Sequence, residues 1–356
     1  MDIAALLDMG VKAHASDLHI IPGLSPLLRI DGLLAPIKKS AVLTPADTKA
    51  MIYSLMSTDE LQAFETNLVV ELGINIPAIG SFRASLYHQA LGVAGVFRLI
   101  PGIVPDVDSL EIPQAIRSLL VLPHGLILVA GPTGSGKSTT LAAMIEFINA
   151  NLANNIITIE DPIEFTFHPK RSIINQLQVG RDTVDFATAL RASLRQDPNV
   201  IMLGELRDLE TMRLALTAAE TGHLVLATIH ASSAPLAVSR FADVFPSEEK
   251  NRVRSLLSET LQAVVCQTLV RKIAGGRVAA FEVMLSTASV RNFIRQDLTA
   301  HMESAIQTSG NKGMFTLEQY LSILVKKGTI NVGTANSALM ARASTKEDKT
   351  HDTNHK

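Results

Sequence analysis

The sequence predicts an α/β fold in which a mainly parallel, helix-covered sheet follows a smaller α+β domain. Three observations carry this reading. First, short apolar runs at Gly125–Ala130, Ile156–Ile159, Val200–Leu203 and Leu224–Ile229 are separated in places by helical patterns, the order that gives parallel strands joined by crossover helices. Second, the segment after the first run carries Leu141, Met144, Ile145, Ile148 and Leu152, which is the 3.6-residue spacing of an amphipathic helix. Third, 356 residues favour two domains. A Pro-Gly pair at 101–102, with Pro105 and Pro113 beyond, marks a linker over 101–116.

The expected organisation is therefore a domain over 1–100, the linker, a second domain over 117–343 and a tail. In the first domain, Asp17–Ile21 and Pro26–Ile30 read as strands around an Asp31-Gly32 turn signal. Thr44 before Pro45 reads as a helix start, with threonine as cap and proline in the first turn. Ser81–Tyr87 and Gly92–Ile100 read as a hairpin. After about Arg240 the chain reads as mostly helical apart from Arg277–Leu285. Ser344–Lys356 has no apolar period and reads as a disordered tail.

Hydrophobic residues make up 47% of the chain and charged residues 19%, enough for a sizeable core. The net charge of −2 argues against a strong non-specific nucleic-acid field. Cys266 is the only cysteine, so neither an intramolecular disulfide nor a cysteine zinc cage can form. It reads as a small buried apolar residue. The N-terminus lacks the basic flank of a secretory signal, and the most apolar stretch, Leu119–Ala130, is too short to span a bilayer. A cytoplasmic protein is expected.

Gly131-Pro132-Thr133-Gly134-Ser135-Gly136-Lys137-Ser138 is a complete phosphate-binding loop between a predicted strand and a predicted helix. Its glycines let the backbone turn its N–H groups inward, and the helix start adds the positive end of its dipole. In such a loop the lysine reaches the β- and γ-phosphates and the serine hydroxyl ligates Mg²⁺. The chemistry indicated is ATP hydrolysis with ATP and Mg²⁺ as ligands. Thr139, next after the loop, is a further nucleotide-binding candidate.

Hydrolysis also needs a group that orients water. Strand C-termini face the ligand crevice in α/β sheets. Two acidic clusters sit there: Glu160-Asp161-Pro162-Ile163-Glu164 and Gly204-Glu205. His223 and His230 bracket an apolar strand, placing both as candidates to contact phosphate; spacing suggests no third zinc ligand. Arg83 and Arg98 in the hairpin could stabilise transition-state charge from another domain or subunit, or be solvated.

The sequence resembles the type IV pilus retraction ATPases (twitching motility) of the secretion ATPase superfamily over nearly all of residues 1–343. The segments that carry the resemblance are Ala15–His19, Gly131–Thr139 (Walker A), Thr158–Phe165 (Asp box), Val200–Asp208 (Walker B), Leu214–His230 (His box) and Ser289–Arg295. The resemblance implies a PAS-like N-terminal domain, a RecA-like P-loop ATPase domain and a homohexamer. It implies that Glu164 is the general base, that Glu205 acts on Mg²⁺ through water, and that His223 and His230 form the His box. It also assigns Arg83 and Arg98 as the arginines offered to the nucleotide. Its partners would be an inner-membrane, PilC-like platform protein at which it docks, and a PilU-like paralogue, with no specific nucleic acid.

Rivals remain within and outside that resemblance. Extension and secretion motors usually carry a further N-terminal region and a four-cysteine motif, which a single cysteine disfavours. A PilU-like accessory ATPase is the nearer alternative. A nucleic-acid translocase is disfavoured by charge, and a small-molecule kinase by the carboxylates placed for water.

Overall fold

The computed structural model describes residues 2–30, 32–38, 40–100 and 104–347, the side chains of 344–347 excepted. Packing divides the chain into two units: Met1–Ile103 with Glu164–Thr166, and Val104–Ile163 with Phe167–Lys356.

The first unit contains α1 (Ile3–Lys12), β1 (Asp17–Ile20), β2 (Leu27–Ile30), β3 (Leu33–Pro36), α2 (Pro45–Tyr53), α3 (Thr58–Asn67), β4 (Val69–Ile76), β5 (Gly80–Gln89) and β6 (Gly92–Ile100). Its strands form one antiparallel sheet in the order β3-β2-β1-β6-β5-β4. Thr44 caps α2 in a reciprocal box with Asp47, and Pro45 opens the helix. Period-two alternation buries Phe82, Ala84 and Leu86 of β5 beside Val93 and Phe97 of β6 and Phe64 of α3. The same alternation turns Arg83 and Arg98 to the other face, where they are direct cross-strand neighbours.

The second unit contains α4 (Gln114–Arg117), β7 (Gly125–Ala130), α5 (Lys137–Asn151), β8 (Asn155–Glu160), β9 (Ile173–Gln178), α6 (Phe186–Ser193), β10 (Val200–Leu203), α7 (Leu209–Glu220) and β11 (Leu224–Ile229). It continues with α8 (Ala234–Asp243), α9 (Lys250–Thr260), β12 (Leu261–Arg271), β13 (Arg277–Leu285), α10 (Ala288–Arg295), α11 (Thr299–Thr308), α12 (Leu317–Lys326) and α13 (Val332–Glu347). Its sheet runs β13-β12-β7-β11-β10-β8-β9. All neighbours are parallel except β13, which returns antiparallel to β12 at the edge. Strands β7, β10 and β11 are buried along their whole length, as expected of a parallel sheet covered by helices. Leu126, Ile157, Ile201 and Val225 join Met212, Ala215, Ala237 and Phe241 in one core.

Three expectations change. The region after Arg240 is not helical apart from one strand, because Leu261–Arg271 forms β12. Buried along most of its length, this strand has a near-continuous apolar run rather than alternation, so periodicity does not distinguish it from a buried helix. Pro101–Ile103 lie outside the described residues, but the rest of the expected linker is built into the second unit. Val107, Ile112 and Ile116 are buried there, and Arg117 donates to the carbonyls of Ile112 and Val107. Finally, the tail expected from Ser344 is helical through Glu347, where Lys346 and Glu347 favour helix; residues 348–356 lie outside the described residues.

Cys266 is buried on β12 as its type suggests. Burial, and then the nearby Glu282, pushes its thiol up to about 12, so it stays protonated and unreactive. Among the described residues, no helix is long and apolar enough to cross a membrane.

Ile201 sits at the centre of the parallel sheet with no exposed surface. We expect Ile201→Ala to cost about 2–5 kcal/mol, the range for emptying a packed core site. The midpoint of urea unfolding should fall accordingly; an unchanged midpoint would contradict the central place given to this strand.

Candidate active site

The phosphate loop leaves β7 at Gly131 and enters α5 at Lys137. A Cβ on Gly131 would lie 2.4 Å from Ser135 Oγ and 2.6 Å from the Gln267 carbonyl oxygen, so no larger residue fits. Gly136 precedes α5 in a left-handed conformation, and no side chain caps that helix. Its first N–H groups are thus left for another acceptor. Lys137 Nζ donates to the carbonyls of Gly131 and Pro132, each at 3.0 Å, so its ammonium is folded over the loop. Pro132, Thr133 and Gly134 form the exposed crest, and Ser138 and Thr139 are half-buried in the first turn of α5. Ser135 Oγ is buried without a hydrogen-bond partner among the described residues. A cradle closed to Cβ atoms, an unmatched buried hydroxyl and an adjacent ammonium fit a polyphosphate.

Glu205 follows β10 and is fixed by backbone bonds on both sides. The Gly204 N–H donates to Ile159 O at 2.8 Å, and the Leu206 N–H donates to Thr228 O at 2.9 Å. The Thr228 hydroxyl donates to Gly204 O. A Cβ on Gly204 would lie 3.4 Å from both Glu160 Cα and Ile159 O, so the chain here passes in contact with the end of β8. The Glu205 carboxylate is held at both oxygens. Arg207 Nη2 lies 2.7 Å from Oε2 and His230 Nε2 lies 3.0 Å from Oε1. Burial first, then the positive charge of Lys137, lowers the His230 pKa below its ordinary value, although Glu205 opposes this. Neutral His230 therefore donates a proton at Nε2 to the carboxylate. Arg240 donates to the His230 carbonyl, and with Arg207 and Asp243 it lines a cleft of about 430 Å³ beside Glu205.

The structure does not bring all the sequence candidates together. His223 stands at the N-terminal end of β11, where its carbonyl accepts from the N–H of Gly125 at the start of β7. The phosphate loop leaves the other end of β7, about 20 Å away at the usual rise of a six-residue strand. His223 is instead bound to Ala218 O at 2.9 Å, so it is not a ligand of its own chain's phosphate site. Glu160 ends β8 on the correct edge but is buried, accepting from Thr158 Oγ1 at 2.7 Å and Gln176 Nε2 at 3.2 Å. Asp161 is exposed just beyond it and adds to the field on Arg207. Glu164 is exposed and groups with the first unit. In that unit Arg98 pairs with Asp17 at 3.0 Å and Arg83 with Glu71 at 2.6 Å. Among the described residues no cluster of three or more His, Cys, Asp or Glu side chains could hold a metal alone.

Two residues of the site were not singled out from sequence. Arg207 lies two positions after Glu205, a spacing that could have marked it. Gln267 donates from Nε2 to Ser135 O at 2.7 Å, a partnership 132 residues long in sequence that no local pattern signals.

The chain matches the family described as "Type II/IV secretion system protein" over residues 2–355. It is 49% identical over 334 residues to the "Type IV pilus retractation ATPase PilT" of Pseudomonas aeruginosa, covering 93% of this chain and 96% of that relative. It is 38% identical to the "Type IV pilus ATPase PilU" of the same organism, covering 93% of this chain and 86% of that relative. Among solved structures, the "Crystal Structure of the Pilus Retraction Motor PilT and Bound ADP" superposes with a TM-score of 0.89 at 43% identity, covering 95% of this chain and 97% of the other.

Two measurements check the site. Gly131→Ala should abolish nucleotide binding measured by calorimetry, since its Cβ has no room; retained binding would refute the cradle. His230 should titrate below 6.5, the ordinary value, when its imidazole is followed by NMR. The unfolded chain then takes the proton more readily, so stability tied to neutral His230 is complete above that ordinary value and declines as pH falls toward the folded one. A midpoint above 6.5 would contradict the burial and lysine field assigned to it.

Proposed function

This chain belongs to the Type II/IV secretion system protein family, and from that premise we propose that it is an ATP-hydrolysing motor that retracts type IV pili and powers twitching motility. The second unit is its RecA-like ATPase domain. The observation that carries hydrolysis is the pairing of the Lys137 loop with Glu205, both issuing from one edge of a parallel sheet. Retraction is favoured over an accessory role by the greater identity to a retraction ATPase than to its PilU counterpart.

The proposed mechanism assigns a task to each group. Lys137 and the N–H groups of Gly134–Thr139 bind the phosphates and offset their charge. Glu164 accepts the proton of the attacking water. Ser138 and, through water, Glu205 are the residues that would hold Mg²⁺, which when bound neutralises the β- and γ-phosphate oxygens. His230 and Arg207 keep the Glu205 carboxylate oriented, since both of its oxygens are engaged. Arg83 and Arg98 supply positive charge to developing phosphate charge, on the precedent of arginines donated between domains or subunits. Their present partners Glu71 and Asp17 would have to yield for that to happen.

The working assembly in this proposal is a homohexamer docked at the inner membrane on a PilC-like platform protein, with a PilU-like paralogue as a further partner. The family resemblance supports this arrangement. Nucleotide states that favour different domain arrangements would convert turnover into movement.

In cells, deletion of the gene should leave surface pili that do not retract; bald cells would sink the retraction assignment. In vitro, Lys137→Ala, Glu164→Gln and Glu205→Gln should each lower phosphate release by about 100-fold or more, with thermal unfolding little changed. Ordinary turnover in Glu164→Gln would remove it from the role of base.

A further inference from the structure

His230 leaves β11 on the phosphate edge, and a short connection then enters α8 at Ala234. That connection is fastened along its length. The Arg240 guanidinium, from α8 itself, donates to the His230 carbonyl. The Cys266 thiol, kept protonated by burial, donates to Ala231 O at 3.6 Å. Ser233 caps α8 by accepting from the Leu236 N–H. The Ala234 N–H, which has no acceptor within its own helix, donates to Glu282 at 2.7 Å. Cys266 and Glu282 are cross-strand partners on β12 and β13, so one step of that ladder holds both ends of the connection.

Glu282 is 2% exposed, and a buried carboxylate without a partner gives up its charge or moves. Its partner comes from the C-terminal helix. Arg342 Nη2 on α13 lies 2.6 Å from Glu282 Oε2, and the arginine side chain is itself only 13% exposed. One oxygen is therefore given to the guanidinium and the other to the start of α8. An ionised acceptor binds an N–H more tightly than a neutral one, and negative charge is favoured at the positive end of a helix dipole. Arg342 thus acts on α8 through Glu282. A packed apolar pair of this size would hold α13 to β13 at least as well, but it would leave the Ala234 N–H without an acceptor.

We propose that Arg342 is a positioning residue for hydrolysis, acting through Glu282 and the start of α8 to hold His230 against Glu205. The inference rests on the ATP-hydrolysing reading and adds the C-terminal helix to the parts that align the Glu205 carboxylate. The last link is short: His230 Nε2 sits 3.0 Å from Glu205 Oε1. A hydrogen bond of that length fails when its donor moves by about 1 Å. Releasing Ala234 loosens the start of α8, and Arg240 carries that looseness to the His230 carbonyl.

The test joins NMR of the His230 imidazole to kinetics, both on the full chain. In Arg342→Ala, the His230 Nε2–H signal should shift or broaden away. In the same variant kcat should fall about tenfold while KM for ATP stays within about twofold. Arg342→Lys keeps the charge and should return both readouts toward wild type. In a His230→Ala background, adding Arg342→Ala should change the residual turnover by less than about twofold, because the residue it acts through is gone. Should Arg342→Ala fail to fold, the neutral pair Arg342→Met with Glu282→Gln carries the same expectations, since it leaves no uncompensated charge behind. An unchanged His230 signal in a folded variant would overturn the proposal. So would equal fold-losses in the wild-type and His230→Ala backgrounds, which a merely structural ion pair would give. A wild-type chain that releases no phosphate would refute the hydrolysis reading, while the His230 signal still decides whether Arg342 reaches it.

Discussion

The parallel pairing of β7, β11, β10 and β8 is the constraint on which the site depends. Because these strands run the same way and in register, the residues that follow them emerge on one edge of the sheet. Ala130 of β7 lies opposite Ile229 of β11, so the phosphate loop and His230 leave together. Leu203 lies between Ala227 and Ile159, so Glu205 leaves beside them. Helix-covered, fully buried strands have little freedom to slip, and the chemistry inherits that rigidity.

From this edge outward, order is passed on by hydrogen bonds rather than by packing. The Gly204 N–H and carbonyl and the Leu206 N–H are tied to neighbouring strands, leaving Glu205 little backbone freedom. Its carboxylate then meets a neutral imidazole and a guanidinium. A carboxylate engaged on both oxygens is pre-set in direction, which costs no reorganisation when charge develops nearby. The His230 pKa is lowered chiefly by burial and then by Lys137, so burial, with the phosphate lysine adding to it, favours the neutral imidazole.

Much of this was legible in the sequence, and the failures have physical causes. The strand–loop–helix around Lys137 is encoded locally by glycines, an apolar run and a 3.6-residue period, and the carboxylate after Val200–Leu203 follows from the strand before it. His223 misleads because its neighbours in sequence form a strand long enough to carry it to the far edge. Glu160 sits on the right edge, but it is buried and its Oε1 accepts from both Thr158 and Gln176, a fact of tertiary packing. Strand β12 is hidden by its own burial, and Gln267 by a partner 132 residues away. Strand β4 alternates cleanly, with Val70, Leu72, Ile74 and Ile76 packed on the core of the first unit, and could have been found.

The most direct test of the whole account is phosphate release from ATP, followed together with particle mass in solution over a range of protein concentrations. The account predicts that hydrolysis by the purified chain rises with the population of a six-subunit species and needs no nucleic acid. A monomer with full specific activity, or a hexamer that releases no phosphate from ATP, would contradict it.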